Sequence, residues 1–282
     1  MPTFSADDGT ELVYHVLGEG EPLLCVPGGP MRASVYLGDL GGLAAYRQLI
    51  LLDLRGTGDS ATPADPATYR CDRLVEDIRA LQDHLGLDSC DLLAHSAGAN
   101  IVVQYAARYP DRLARLALIT PSCRALGLQA DAEQRRQIVQ LRTGEPWYAD
   151  AAAAFERVAA GSDSDDDWDA MAPFFFGRWD ATAQAHFAAA GTQANDDAAD
   201  IFGADGAFDP DGTRAALASF PSQVLVLAGE CDLQWPPVVV AELAAVFRAA
   251  DLVVQAGAGH SPWLDDAARF VSTVTAFLAS PR

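Results

Sequence analysis

The sequence contains no lysine. All of its 19 basic residues are arginine, set against 39 acidic ones, for a formal net charge of −20 at pH 7. A surface so acidic repels nucleic acid and anionic lipid, which excludes both as expected partners. The bias toward arginine suggests a GC-rich genome and speaks of codons, not of function. No apolar run reaches the roughly 18 residues of a membrane span. The opening Met1-Pro2-Thr3-Phe4-Ser5-Ala6-Asp7-Asp8 has neither a basic start nor an apolar stretch. No signal peptide is therefore expected, and the expected compartment is the cytoplasm. The five cysteines (Cys25, Cys71, Cys90, Cys123 and Cys231) stand far apart, form no C-x-x-C pair and are odd in number. Free, buried thiols are expected rather than a disulfide framework or a zinc site. The five histidines show no H-E-x-x-H spacing, so neither a metal nor another cofactor is expected.

Half of the 282 residues are hydrophobic, enough for a sizeable core in one large domain or two small ones. Residues 3–6 and 11–17 flank Asp7-Asp8-Gly9 as a hairpin. Leu23-Leu24-Cys25-Val26, Gln48-Leu49-Ile50-Leu51-Leu52-Asp53, Asp91-Leu92-Leu93-Ala94 and Arg115-Leu116-Ala117-Leu118-Ile119-Thr120 are short apolar runs of the kind that forms buried parallel strands. Helical texture separates them over residues 34–46, 72–85 and 97–109. The alternation predicts an α/β fold, a mostly parallel sheet covered by helices on both faces. From about residue 123 to 215 no comparable strand occurs, and Ser162–Asp169 reads as an exposed acidic loop. Strands and helices resume at 223–228, 238–249, 251–255 and 265–279. The expected organisation is a core of residues 1–122 and 216–282 with an all-helical lid, 123–215, inserted between two strands.

The pattern is organised around Ala94-His95-Ser96-Ala97-Gly98, a turn of small residues between a strand and a helix. It has the G-x-S-x-G form of a nucleophile elbow, with Ala94 in the first glycine position. A serine hydroxyl needs a base to take its proton and a third group to orient that base. His15 and His84 lie on regular elements, His95 belongs to the elbow, and His186 falls in the lid. His260, directly beyond a predicted strand, remains as the base. The orienting acid is expected beyond the preceding strand; Asp232 is the choice and Glu230 the alternative. The amides of Ala97 and Gly29 are expected to form the oxyanion hole. The chain order Ser, Asp, His is that of one serine-hydrolase fold.

On these residues the chain resembles the α/β-hydrolase superfamily along its whole length. Pro27-Gly28-Gly29-Pro30, Asp53-Leu54-Arg55-Gly56-Thr57-Gly58-Asp59-Ser60 and Gly259-His260-Ser261-Pro262-Trp263 are similar to the H-G-G-P-G, D-x-R-G-x-G-x-S and G-H-x-P-W loops of proline iminopeptidases. Pro27, Met31 and Ala94 depart from that pattern, and the lid lacks the family's paired Trp-Glu elements. The resemblance implies a small-molecule substrate in contact with Gly28, His95 and Trp263. The lid acids Glu145, Glu156, Asp196 and Asp197 are candidates for an amine site, and the lid aromatics for an apolar wall or for packing. The expected activity is hydrolysis of a small ester, lactone or amide through an acyl-enzyme. A receptor or binding protein on the same fold is the alternative, and the oligomeric state stays open.

Overall fold

The computed structural model describes residues 1–280. Eight strands form one sheet: β1 (Thr3–Ser5), β2 (Glu11–Leu17), β3 (Pro22–Val26), β4 (Gln48–Leu52), β5 (Cys90–His95), β6 (Leu113–Ile119), β7 (Gln223–Gly229) and β8 (Ala250–Gln255), in the order β1-β2-β4-β3-β5-β6-β7-β8. The β1/β2 and β2/β4 pairs are antiparallel and every later pair is parallel. Side chains of the central strands alternate between two cores, as a period of two requires. Leu24, Val26, Leu92, Ala94, Leu116, Leu118, Val224 and Val226 pack with helices Cys71–His84, Gly98–Arg108 and Pro237–Ala244. Leu23, Cys25, Leu93, Ala117, Ile119, Leu225 and Leu227 face Tyr36–Leu43 and helix Ala267–Ala279. The sheet is thus covered on both faces, and its strand carboxyl ends gather at one edge, where open α/β sheets bind ligands.

Three local expectations change. Residues 34–46 form two short 3₁₀ turns, Ser34–Leu37 and Leu43–Ala45, because Gly38, Leu40, Gly41 and Gly42 all adopt positive φ. The final helix breaks at Asp266, whose carboxylate accepts the Arg269 amide and caps Ala267–Ala279. The acidic run at 162–169 is in part helical: Asp165, Asp166 and Asp167 form the first turn of Asp165–Met171, where the helix dipole favours them. Between β6 and β7 no strand occurs among the described residues, only helices and an isolated antiparallel bridge of Ala194 with Arg32, and Phe155, Met171 and Phe174 form a small core with Leu233 from beyond β7. All five cysteines are free and buried. No helix is long and apolar enough to cross a membrane.

At the amino end of β5, away from the elbow, the fully buried Asp91 carboxylate pairs with both Arg47 and Arg115. Removing one partner of a buried cluster strands the others. Asp91→Ala is expected to cost roughly 3–5 kcal/mol in urea unfolding, with kcat/KM of the folded protein unchanged.

Candidate active site

Strand β5 delivers Ser96 into the left-handed region, at φ 51°, before the helix starts at Gly98. A non-glycine residue is held there only where its surroundings force it. Two close approaches supply that force. A Cβ on Gly98 would stand 2.4 Å from the Pro27 carbonyl oxygen, and one on Gly28 would stand 2.8 Å from both Ser96 Cβ and the His95 carbonyl oxygen. The glycines let the β3 loop and the elbow touch backbone to backbone.

His260 Nε2 lies 2.7 Å from Ser96 Oγ, and His260 Nδ1 lies 2.8 Å from Asp232 Oδ2. A carboxylate only accepts, so Nδ1 carries the proton and Nε2 is free to accept from the serine. The other Asp232 oxygen accepts the amides of Gln234 and Trp235, which fixes the carboxylate. Glu230 is exposed and accepts the Gly257 amide at 2.7 Å; it does not reach His260. The structure therefore brings Ser96, Asp232 and His260 together and leaves Glu230 outside. The amides of Gly29 and Ala97 donate to no protein acceptor among the described residues, whereas the Gly28 amide is taken by Tyr36 Oη at 2.7 Å.

A family model described as alpha/beta hydrolase fold matches residues 21–267. The chain belongs to the α/β-hydrolase family. It is 31% identical over 142 residues to a proline iminopeptidase of Clostridium botulinum (strain Hall), over 50% of this chain and 48% of that protein. The chain spans about half or less of the length of the curated relatives that it matches first. A proline iminopeptidase structure from Mycobacterium smegmatis superposes with a TM-score of 0.76 at 24% identity, over 98% of this chain and 97% of that one. The esterase RhEst1 from Rhodococcus sp. ECU1013 superposes with 0.74 at 24% identity, over 99% and 98%. At these identities the likeness is one of fold.

A cavity of about 310 Å³ opens on Ser96 and His260 in this α/β-hydrolase. Gly29 and His95 line it, and Phe175, Phe176 and Phe187 give it an apolar wall. Two residues expected at the substrate, Gly28 and Trp263, do not line this cavity. Gly28 is covered by its bond to Tyr36, and Trp263 is buried edge-on to the His95 ring, with centroids 4.8 Å apart. Among the lid acids, Glu156 pairs with Arg136 and Glu145 with Arg142, and neither lines the cavity. Asp196 lines it from an exposed position; Asp197 does not. Phe174 and Trp147 pack on each other in the helical segment, with ring centroids 5.1 Å apart. His15 is more than a strand residue: it bonds Asp53 at 2.9 Å. Although His15, Asp53 and Asp59 bring three ligand-type atoms within 4.8 Å of one another, the Asp53 oxygens already accept from Ser34, the Asp59 amide and His15.

Further contacts about the site carry no sequence signal. The His260 carbonyl accepts Thr120 Oγ1 at 2.7 Å and His95 Nε2 at 2.9 Å, and the His260 amide donates to the Phe175 carbonyl at 2.8 Å. Because a carbonyl cannot donate, His95 is protonated at Nε2, and its Nδ1 accepts from Tyr36 Oη at 2.6 Å. A continuous chain thus links the Gly28 amide, Tyr36, His95 and the backbone of His260.

That chain needs a neutral His95. Burial, followed by the proximity of His260, holds its pKa well below the usual value. The unfolded chain binds a proton near pH 6.5 that the folded one refuses. Stability from His95 is therefore complete above about pH 6.5 and is lost as pH falls below it, with a slope approaching about 1.4 kcal/mol per pH unit. His186, lowered to about 4 by burial and then by Arg32, acts in the same direction. Urea midpoints of the wild type are expected to fall between pH 7 and pH 5, and to fall less for His95→Asn. Equal slopes would count against a neutral His95.

Proposed function

We propose that this chain is a serine hydrolase that cleaves a small ester, lactone or amide through an acyl-enzyme. The unbroken run of hydrogen bonds from Asp232 through His260 to Ser96 carries the reading. Ser96 Oγ attacks the substrate carbonyl while His260 Nε2 takes its proton. Asp232 holds the imidazole in the accepting tautomer and offsets the charge that it gains. The Gly29 and Ala97 amides, facing no protein acceptor, receive the oxyanion. His260 then protonates the leaving group, and the same base activates water against the acyl-serine. Phe175, Phe176 and Phe187 flank the acyl chain. On this reading residues 1–122 and 216–282 are the catalytic core and 123–215 the lid, joined to His260 through the Phe175 carbonyl.

The cavity size supports a small substrate. The arginine-paired state of Glu145 and Glu156 removes two candidates for gripping a peptide amino terminus, which favours ester and lactone cleavage over aminopeptidase action. Two chromogenic panels test this, p-nitrophenyl acyl esters of increasing length and amino-acid p-nitroanilides including proline. Ester cleavage that depends on Ser96 is expected. Selective cleavage of the prolyl anilide would shift the assignment to a peptidase. Failure of a fluorophosphonate to label Ser96 would overturn the serine mechanism.

A further inference from the structure

Arg32 follows the Pro27–Met31 loop, and its amide is tied to the Gly28 carbonyl at 3.1 Å, so the side chain is held close to the oxyanion amides. Its guanidinium lies 4.5 Å over the Tyr36 ring and lines the cavity that holds Ser96. Its hydrogen-bond acceptors are neutral: Gln193 Oε1, at 2.9 Å from Nε and 2.7 Å from Nη2, and the His186 carbonyl at 3.0 Å. Nη1 has only the His186 ring nitrogen, at 3.5 Å.

Arg32 is half-buried, and the four fully buried arginines differ from it, although half-buried Arg135 likewise bonds a backbone carbonyl, that of Ala130. Arg47 and Arg115 meet Asp91, Arg55 meets Asp77, and Arg142 meets Glu145. No carboxylate among the described residues lies within 4.0 Å of Arg32, in a chain with twice as many acids as bases. Burial lowers the Arg32 pKa from its ordinary value. A partly desolvated charge without a counter-charge carries part of the desolvation cost, and a neutral donor would serve Gln193 and His186 equally well. The charge is useful once an anion enters the cavity beside it.

We propose that Arg32 receives a carboxylate on the substrate, so that the preferred substrates are short acyl esters, lactones or amides that carry a second, anionic group. The proposal rests on the serine-hydrolase reading for its chemistry and on the cavity for its size limit. The scissile carbonyl sits at Ser96, the phenylalanine wall flanks the intervening carbons, and the free carboxylate meets the open Nη1 edge of the guanidinium.

The test compares monoethyl succinate, glutarate and adipate with ethyl butanoate, pentanoate and hexanoate, following acid release in a pH-stat. Ethyl 4-aminobutanoate is the cationic control. A charge-assisted hydrogen bond in a desolvated site sets the expected preference in kcat/KM at roughly 10–100-fold for one half-ester over its neutral counterpart, with the cationic ester poorest. In Arg32→Met, which keeps an apolar stem over Tyr36, that ratio is expected to collapse toward one; Arg32→Lys is expected to retain part of it. The wild-type comparison needs no variant, so a misfolded Arg32→Met leaves it decisive. Calorimetry of the half-esters on Ser96→Ala reads binding without turnover. Cleavage of neutral esters together with equal binding of half-ester and neutral ester overturns the Arg32 assignment and leaves the hydrolase standing. Arg32-dependent binding of a half-ester by a protein that cleaves nothing overturns the hydrolase reading and leaves the anion site. Preference for the cationic ester overturns the proposal in favour of Asp196.

Discussion

Ser96→Ala is expected to lower kcat on any ester that the wild type cleaves by about 10⁵-fold or more, with the folded structure retained. The magnitude follows from how the site is built. His260 and Asp232 have no alternative nucleophile to serve: His260 Nε2 points at Ser96 Oγ, 2.7 Å away. Once the hydroxyl is gone, the imidazole can only activate water, and water in the cavity is not held at the tip of a strained turn. On the proposed mechanism, what survives is the pair of amides on Gly29 and Ala97, which are expected still to polarise a bound carbonyl. Such a remnant leaves a residual rate of about 10³–10⁴ over the uncatalysed reaction in a disabled triad. Alanine at 96 loses only one oxygen from a buried position, and its neighbours Gly28 and Gly98 keep their close contacts. The thermal midpoint is therefore expected to stay within a few degrees of the wild type. A variant that retains more than about one percent of wild-type turnover on a purified, fluorophosphonate-unreactive sample would remove Ser96 from the mechanism.

The residues legible in the sequence are those whose placement is written locally. Ser96 announces itself through the small residues around it, which a left-handed turn between a strand and a helix demands. His260 follows a predicted strand, and Gly28-Gly29 marks a loop that must approach another backbone. The continuous apolar runs of β3, β5, β6 and β7 signal the covered parallel sheet because each face meets its own set of helices. What was not legible depends on pairings distant in the chain. Tyr36 and His95 are 59 residues apart, and His95 meets the His260 carbonyl across 165. Arg32 bonds Gln193 across 161 residues, from the position just past the Pro27–Met31 loop to an alanine-rich helical stretch. His186 falls within residues 123–215 as expected, but nothing in Ala185-His186-Phe187 says that it faces the cavity. The helix expected at 34–46 failed for a different reason: its apolar spacing was helical, but three glycines and Leu40 at positive φ cut it into turns.

The choice between Asp232 and Glu230 was open in the sequence, two positions apart in one loop, and the geometry makes the two separable by experiment. Asp232→Asn is expected to lower kcat by about 10⁴-fold, while Glu230→Gln is expected to stay within about threefold of the wild type. The asymmetry comes from donor and acceptor counting. One Asp232 oxygen already accepts two amides, from Gln234 and Trp235, so an asparagine at 232 keeps its carbonyl oxygen there and turns its NH₂ toward His260. An NH₂ facing Nδ1 demands that Nδ1 accept, which drives the ring proton to Nε2. His260 then presents a donor to Ser96 and cannot take the serine proton. The defect is one of tautomer, not of fold, and a pH profile distinguishes the two. Raising the pH until the serine ionises without help is expected to recover part of the Asp232→Asn rate, whereas a misfolded protein recovers nothing. Glu230 contributes one exposed bond to the Gly257 amide at the base of the His260 loop. Its amide isostere still accepts that bond, so the loop and the triad keep their geometry. A loss in Glu230→Gln comparable to that in Asp232→Asn would reverse the assignment.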